Sequence, residues 1–184
     1  ASRLLENLEL VGADFNAALV GEAERLAREE NLDCLFLVAN AFRLNEPADI
    51  YLSTGVLHHF QGEDLKEFFK RQTGPETSAF VHFDFYNSPF APFGSWLFHA
   101  ARMREPLSKH DGVLSAVRAY KSRELLDAAR AAAPEFAAAI YGVRLWRLPI
   151  PRVFHTLVGI RPRFREDFVK NLGPRRIAAL GVIE

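Results

Sequence analysis

The chain has 184 residues, enough for one domain with a sizeable core, and 49% of them are hydrophobic. Lys plus Arg and Asp plus Glu both number 23, so the net charge is zero, and neither a polyanion-binding surface nor bulk nucleic-acid binding is expected. A single cysteine, Cys34, excludes an intrachain disulfide, and no run of about 18 apolar residues is present, so a cytoplasmic protein with no membrane span is expected.

Residues 1–7 read as the tail of a helix, and residues 8–13 as a short strand ending at Asp14. Phe15, Ala18, Leu19, Ala23, Leu26 and Ala27 then recur at helical spacing, which predicts an amphipathic helix over 15–30 with Asp14 or Asn16 as its N-cap. Residues 34–39 form a continuous apolar strand of the kind covered on both faces. The turn 45–47 leads into a second apolar strand that begins after Asp49 and stops at Ser53-Thr54-Gly55, followed by Val56-Leu57-His58-His59-Phe60. A helix is predicted over 62–72 with Leu65, Phe68 and Phe69 inward, and a strand over 78–85. Residues 86–121 hold three prolines and one predicted helix, 93–103, and read as an insertion. Ser122 is predicted to cap a helix through Ala133 with Leu125, Leu126 and Ala129 inward. Strands over 136–147 and 152–160 are joined by only four residues, too few for a crossover helix, so they should pair antiparallel. Residues 164–172 and 174–180 read as short surface helices. Strands alternating with helices predict an α/β fold with a mainly parallel sheet and helices on both faces.

The run Ser53-Thr54-Gly55-Val56-Leu57-His58-His59 resembles the turn after the fourth strand of class I S-adenosylmethionine (SAM) dependent methyltransferases, where S-x-G-V-L-H-H is common. The antiparallel terminal pair is a second point of resemblance, and the likeness runs from residue 8 to about 160. It implies a Rossmann-like single domain over 1–184, with 86–121 as a lid or substrate insertion, SAM as cofactor and a small, apolar or aromatic acceptor as substrate. Within it, Asp14 matches the acid that takes the two ribose hydroxyls; its other reading is a plain helix cap. Asn40 and Ala41 match the adenine turn, where the family usually places Asp. Phe15 or Phe42 would pack on the nucleoside or belong to the core. Ser53, Thr54 and Gly55 would line the methionine end, where Gly allows close backbone approach.

The departure is at the start. The family's first strand carries a Gly-rich turn about 20 residues before the ribose acid, yet none of the eleven glycines precedes Gly12. A chain truncated at its N-terminus, lacking the central strand, is therefore expected. It should bind SAM weakly or not at all, and its open strand edges invite pairing with a second copy. A catalytically inactive methyltransferase-like binding module is the alternative; a nucleotide-binding oxidoreductase fits less well with Asn40 and the terminal hairpin. Candidates for a general base are His58, Asp84 and His110, the last within Lys109-His110-Asp111-Gly112-Val113-Leu114-Ser115, which resembles an H-D-G-x-x-S run of small-molecule members and precedes Arg118 and Tyr120. His58 and His59 should point apart in a regular element. Phe83, Phe85, Tyr86, Phe90, Phe93, Trp96 and Phe98 would form either an apolar acceptor pocket or a packed lid. No spacing matches a metal site.

Overall fold

The computed structural model describes residues 8–43, 47–102, 106–141, 154–173 and 182–183. The predicted helices at 1–7 and 174–180 lie outside them, as does the joint between the last two long strands. The chain divides into two compact units, residues 1–46 and 47–184.

The first unit is a βαβ element. Strand β1 (Leu10–Asp14) pairs parallel with β2 (Cys34–Val38), Leu10 opposite Cys34 and Asp14 opposite Val38. Helix α1 (Ala17–Glu29) crosses between them. Asn16 is its N-cap, its Oδ1 accepting the Ala18 N–H at 3.0 Å, while Asp14 Oδ1 accepts the Asn16 N–H at 2.7 Å. The expected apolar stripe is only partly used. Val20 and Ala27 are buried, but Leu19 and Leu26 are exposed and Phe15, which precedes the helix, is 81% exposed. Leu35 and Val38 of β2 are exposed as well, contrary to the reading of a strand covered on both faces. Two short strands and one helix offer too little surface to cover every apolar side chain of the pattern.

The second unit is built on a five-stranded sheet in the order β3-β4-β6-β5-β7. Strand β3 (Ile50–Thr54) is an edge and pairs parallel with β4 (Ala79–Phe85). β4 and β5 (Ala137–Tyr141) both run antiparallel to β6 (Phe154–Ile160) between them, and β7 (Val182–Ile183) pairs antiparallel with β5. The antiparallel terminal pair is as the short joint required. Alternation along β4 sends Phe80, His82 and Asp84 to one buried face. Helix α2 (Glu63–Lys70) contributes Leu65, Phe68 and Phe69 to the buried core, as the periodicity predicts, and α5 (Ser122–Ala132) contributes Leu125, Leu126 and Ala129. Phe69, Phe80, Leu125, Ile140 and Leu157 are fully enclosed, each worth about 1.5–3 kcal/mol of burial. Gly159 stands opposite Phe80 across the β4–β6 ladder, and a Cβ built there would lie 2.1 Å from the Phe80 ring, so the ring occupies the space of the missing side chain.

Residues 86–121 hold two helices instead of one, α3 (Ala91–Arg102) and α4 (Pro106–Arg118). Pro106 sits at the first helical position, where its missing N–H costs nothing. The helices are tied by Ser95 Oγ donating to the Gly112 carbonyl at 2.7 Å. Ser122 is the first residue of α5 and not its cap; Lys121 holds that position, its N–H donating to Glu124 Oε2 at 3.2 Å. Helix α6 (Pro162–Leu172) follows β6. None of the described helices is long and apolar enough to cross a membrane.

Candidate active site

The carboxyl ends of β3 and β4 carry the chemistry. After Thr54 the chain turns at Gly55, whose φ of 66° is the left-handed region that disfavours side chains, and whose N–H donates to the Phe83 carbonyl at 2.8 Å. A 3₁₀ turn, Leu57–His59, follows. It folds His58 beneath the surface against Asp84, the penultimate residue of β4, and both side chains are 3% exposed. Four donors converge on the Asp84 carboxylate. Oδ1 accepts His58 Nδ1–H at 2.7 Å and the Phe85 N–H at 2.7 Å; Oδ2 accepts the N–H groups of Leu57 and His58. Burial works against the charge on Asp84, but the His58 bond and the backbone N–H groups outweigh it and hold its carboxyl below the ordinary range.

A carboxylate only accepts, so Nδ1 of His58 carries a proton, and a neutral ring in that tautomer has its lone pair on Nε2. That Nε2 is buried and has no hydrogen-bond partner among the described residues. A buried imidazole nitrogen left unpaired costs about 1–3 kcal/mol, the kind of cost found where a function holds it in place.

His58 forms part of the wall of a cavity of about 580 Å³, with His59, Gln61, Arg118, Tyr120 and Glu124. The far wall is fastened to the sheet at several points. Tyr86 and Tyr120 form an isolated parallel bridge. Asn87 donates its N–H to the Tyr120 carbonyl and its Nδ2 to the Ala119 carbonyl, both at 3.0 Å, and Tyr120 O–H donates to the Phe60 carbonyl at 2.6 Å. Contrary to the expectation that they point apart, the 3₁₀ turn places the His58 and His59 rings side by side, centroids 4.2 Å apart. Burial, the neighbouring His58 and the Arg118 charge push the His59 ring below its usual value, against the opposing pull of Asp111 and Asp84.

Two further histidines are buried in the sheet. His82 Nε2–H donates to Gln72 Oε1 at 2.9 Å, and Ser53 Oγ lies 2.8 Å from Nδ1. Burial pushes this ring down to about 3, so it is neutral. His155 stands directly opposite Asp84 in the β4–β6 register. Its Nδ1 is 3.1 Å from Ser122 Oγ and its Nε2 is buried without a partner among the described residues; burial lowers it to about 4.

The other predicted residues fall as follows. Asp14 and Asn40 lie at the same carboxyl end of the two-stranded sheet, joined by the Ala39 N–H donating to the Asp14 carbonyl at 2.9 Å. Both also serve local turns: Asn40 Oδ1 accepts the Phe42 N–H at 2.9 Å, as Asp14 does that of Asn16. Ala41 begins a short 3₁₀ turn, Ala41–Arg43, and Phe15 is exposed. Ser53, Thr54 and Gly55 share the β3 end with His58, and a Cβ built on Gly55 would find only His58 Cε1, at 4.0 Å. His110 and Asp111 lie exposed on α4, where successive side chains are about 100° apart, so they do not make a base and its orienter. The aromatic stretch is divided. Phe83 stacks on Phe154 and Phe85 meets it at a tilt, Tyr86 meets His155 edge-on, and Phe90, Phe93 and Trp96 are exposed; the Phe98 side chain lies outside the described residues. The pairing of His58 with Asp84 is absent from the sequence reading, although Asp84 ending the strand next to β3 is the signal that would have found it.

No family model and no curated protein matches this sequence. Solved structures do match in fold. Magnesium protoporphyrin IX methyltransferase from Synechocystis PCC 6803, solved with bound SAM, is 14% identical with a TM-score of 0.55, over 83% of this chain and 59% of that one. A protein of Pyrococcus horikoshii OT3 is 14% identical with a TM-score of 0.55, over 86% and 74%. An O-methyltransferase family protein from Burkholderia thailandensis is 16% identical with a TM-score of 0.54, over 84% and 44%. The fold is thus the Rossmann-like fold of class I SAM-dependent methyltransferases. The chain spans less than two thirds of the length of the methyltransferases it matches.

Proposed function

We propose that this chain serves methyl transfer from SAM to a small acceptor, with the cavity beside His58 as the acceptor site. The observation that carries the reading is the buried Asp84–His58 pair at the carboxyl ends of parallel strands, where α/β folds hold ligands, with His58 forming part of a cavity wall. SAM supplies a methyl group on a positively charged sulfur. Within the first unit, Asp14 offers a carboxylate suited to the ribose hydroxyls, and Asn40 and Ala41 a polar turn suited to adenine.

The chain's own contribution is to the acceptor. His58 Nε2 takes the proton of an acceptor hydroxyl or ammonium as that group becomes nucleophilic. Asp84, held ionised by its four donors, fixes the ring in the productive tautomer and stabilises the imidazolium that results. Such a base is worth about 10²–10⁴ in rate.

Incubation with methyl-labelled SAM at millimolar concentration and a set of phenols and amines tests this. Label should reach an acceptor, and H58Q should slow its transfer by about 10²–10⁴-fold. D14N should weaken SAM binding without changing acceptor binding. Saturation-transfer NMR showing no contact with SAM at millimolar concentration would sink the cofactor assignment. Contact without transfer to any acceptor would leave a binding module.

A further inference from the structure

The cavity beside His58 has one cation that the proposed proton transfer does not use. Arg118 is the last residue of α4, and its guanidinium makes no hydrogen bond and no ion pair among the described residues, although it lines the cavity. Arg161 and Arg71, by contrast, are engaged: Arg161 donates to the carbonyls of Thr73, Gly74 and Thr77, and Arg71 pairs with Glu67. The chain just after Arg118 is held, because Ala119 and Tyr120 are bonded to Asn87 and Phe60, while the Arg118 side chain is exposed. The second charged wall residue, Glu124, is turned to the Lys121 N–H at the start of α5. His58, whose Nε2 has no partner among the described residues, lines the same cavity.

We propose that the acceptor taken by this cavity carries an anionic group, a carboxylate or a phosphate, that pairs with Arg118 and so directs its reacting hydroxyl or amine to His58. The inference deepens the acceptor site proposed above and rests on that reading only for the word acceptor; the binding itself needs no SAM. A guanidinium matches both anions because its N–H groups form a planar fork that meets two oxygens at once. The cavity therefore holds two separate handles, one for charge and one for the reacting proton, and a small ligand that meets both is oriented before reaction.

Isotope-labelled chain titrated with benzoate and with its neutral isostere benzamide, without SAM, tests the pairing. The imidazole resonances of His58 and His59 and the Arg118 Nε–H report where each probe sits. Benzoate should bind about five- to tenfold tighter than benzamide, and the preference should shrink as salt is raised. R118Q should bind both alike, R118K should keep part of the preference, and E124Q should increase it. Inorganic phosphate should displace benzoate. Equal affinities in the unaltered chain, a preference that survives R118Q, shifts that bypass His58 and His59, or no shift from any probe at tens of millimolar would each overturn the proposal. None of these results bears on whether SAM binds, which is measured separately.

Discussion

Replacing Asp84 by Asn separates the electrostatic role of this carboxylate from its shape. Four donors reach the two oxygens: His58 Nδ1–H and the Phe85 N–H at Oδ1, the Leu57 and His58 N–H groups at Oδ2. An asparagine fills the same space but turns one of those atoms into a donor. With its oxygen toward Leu57 and His58, its NH₂ faces both the Phe85 N–H and His58 Nδ1–H. His58 can relieve its share of the conflict by moving its proton to Nε2, whereas the backbone amide of Phe85 cannot move. Loss of a charge-assisted bond is worth about 1.5–3 kcal/mol and the orphaned amide about 1–3, so D84N should cost about 3–5 kcal/mol, the range for breaking a buried pair. That is a large share of the about 5–15 kcal/mol of an ordinary domain. Urea unfolding would read the cost, and nitrogen-15 spectra of the imidazoles would read the tautomer, with the proton on Nδ1 in the unaltered chain and on Nε2 in D84N. Loss of the lone pair at Nε2 would remove the base even in the fraction that stays folded. A cost under about 1 kcal/mol with the proton still on Nδ1 would refute the reasoning.

Other expectations follow from the same core. His82 and His155 have folded values lowered to about 3 and about 4, so the unfolded chain takes up their protons first; stability should be intact above pH 6.5 and fall as pH drops from there through those values. Each ring adds a slope of up to about 1.4 kcal/mol per pH unit, and H82Q should flatten its share in urea melts between pH 4 and 7. Above that window H82Q should still cost about 1–3 kcal/mol through Ser53 and Gln72. G159A should destabilise by about 1–3 kcal/mol or more, because its methyl would enter the Phe80 ring, whereas G21A in α1, with nothing within 4 Å, should stabilise by about 0.5–1 kcal/mol; thermal melts would show the opposite signs. Strand β3 is a sheet edge with Ile50 exposed and Leu52 71% exposed, so the chain should self-associate and L52K should suppress it; a monomer by light scattering at high concentration in the unaltered chain would count against this.

Where local pattern and tertiary burial agree, the chain is readable in advance. α2 presents Leu65, Phe68 and Phe69 on one face and buries all three, whereas β4 buries Phe80, His82 and Asp84 and leaves the apolar Val81, Phe83 and Phe85 half-buried, the reverse of what its apolar alternation predicts. α1 has an equally regular stripe, but what covers Leu19 and Leu26 is not decided by periodicity. α4 escaped because Asp111-Gly112 reads as a turn, although Pro106 is a start signal. In the site, Asp84 and His58 were each recognisable as chemistry-bearing. Their bond spans 26 positions and depends on β3 and β4 being neighbours, which spacing does not encode. Arg118, Tyr120 and Glu124 enter the cavity only because Asn87 and Phe60 fasten the link after α4.

The buried Gln72–His82–Ser53 chain has a direction. The Gln72 oxygen requires the proton on Nε2 of His82, so Nδ1 must receive, and the Ser53 hydroxyl must give its only hydrogen to it. Whatever meets Ser53 Oγ from outside therefore finds lone pairs alone. Gln72, ten residues before His82 and closed off from solvent, thus decides polarity at the strand end: an ammonium is welcome there and a carboxylate is not.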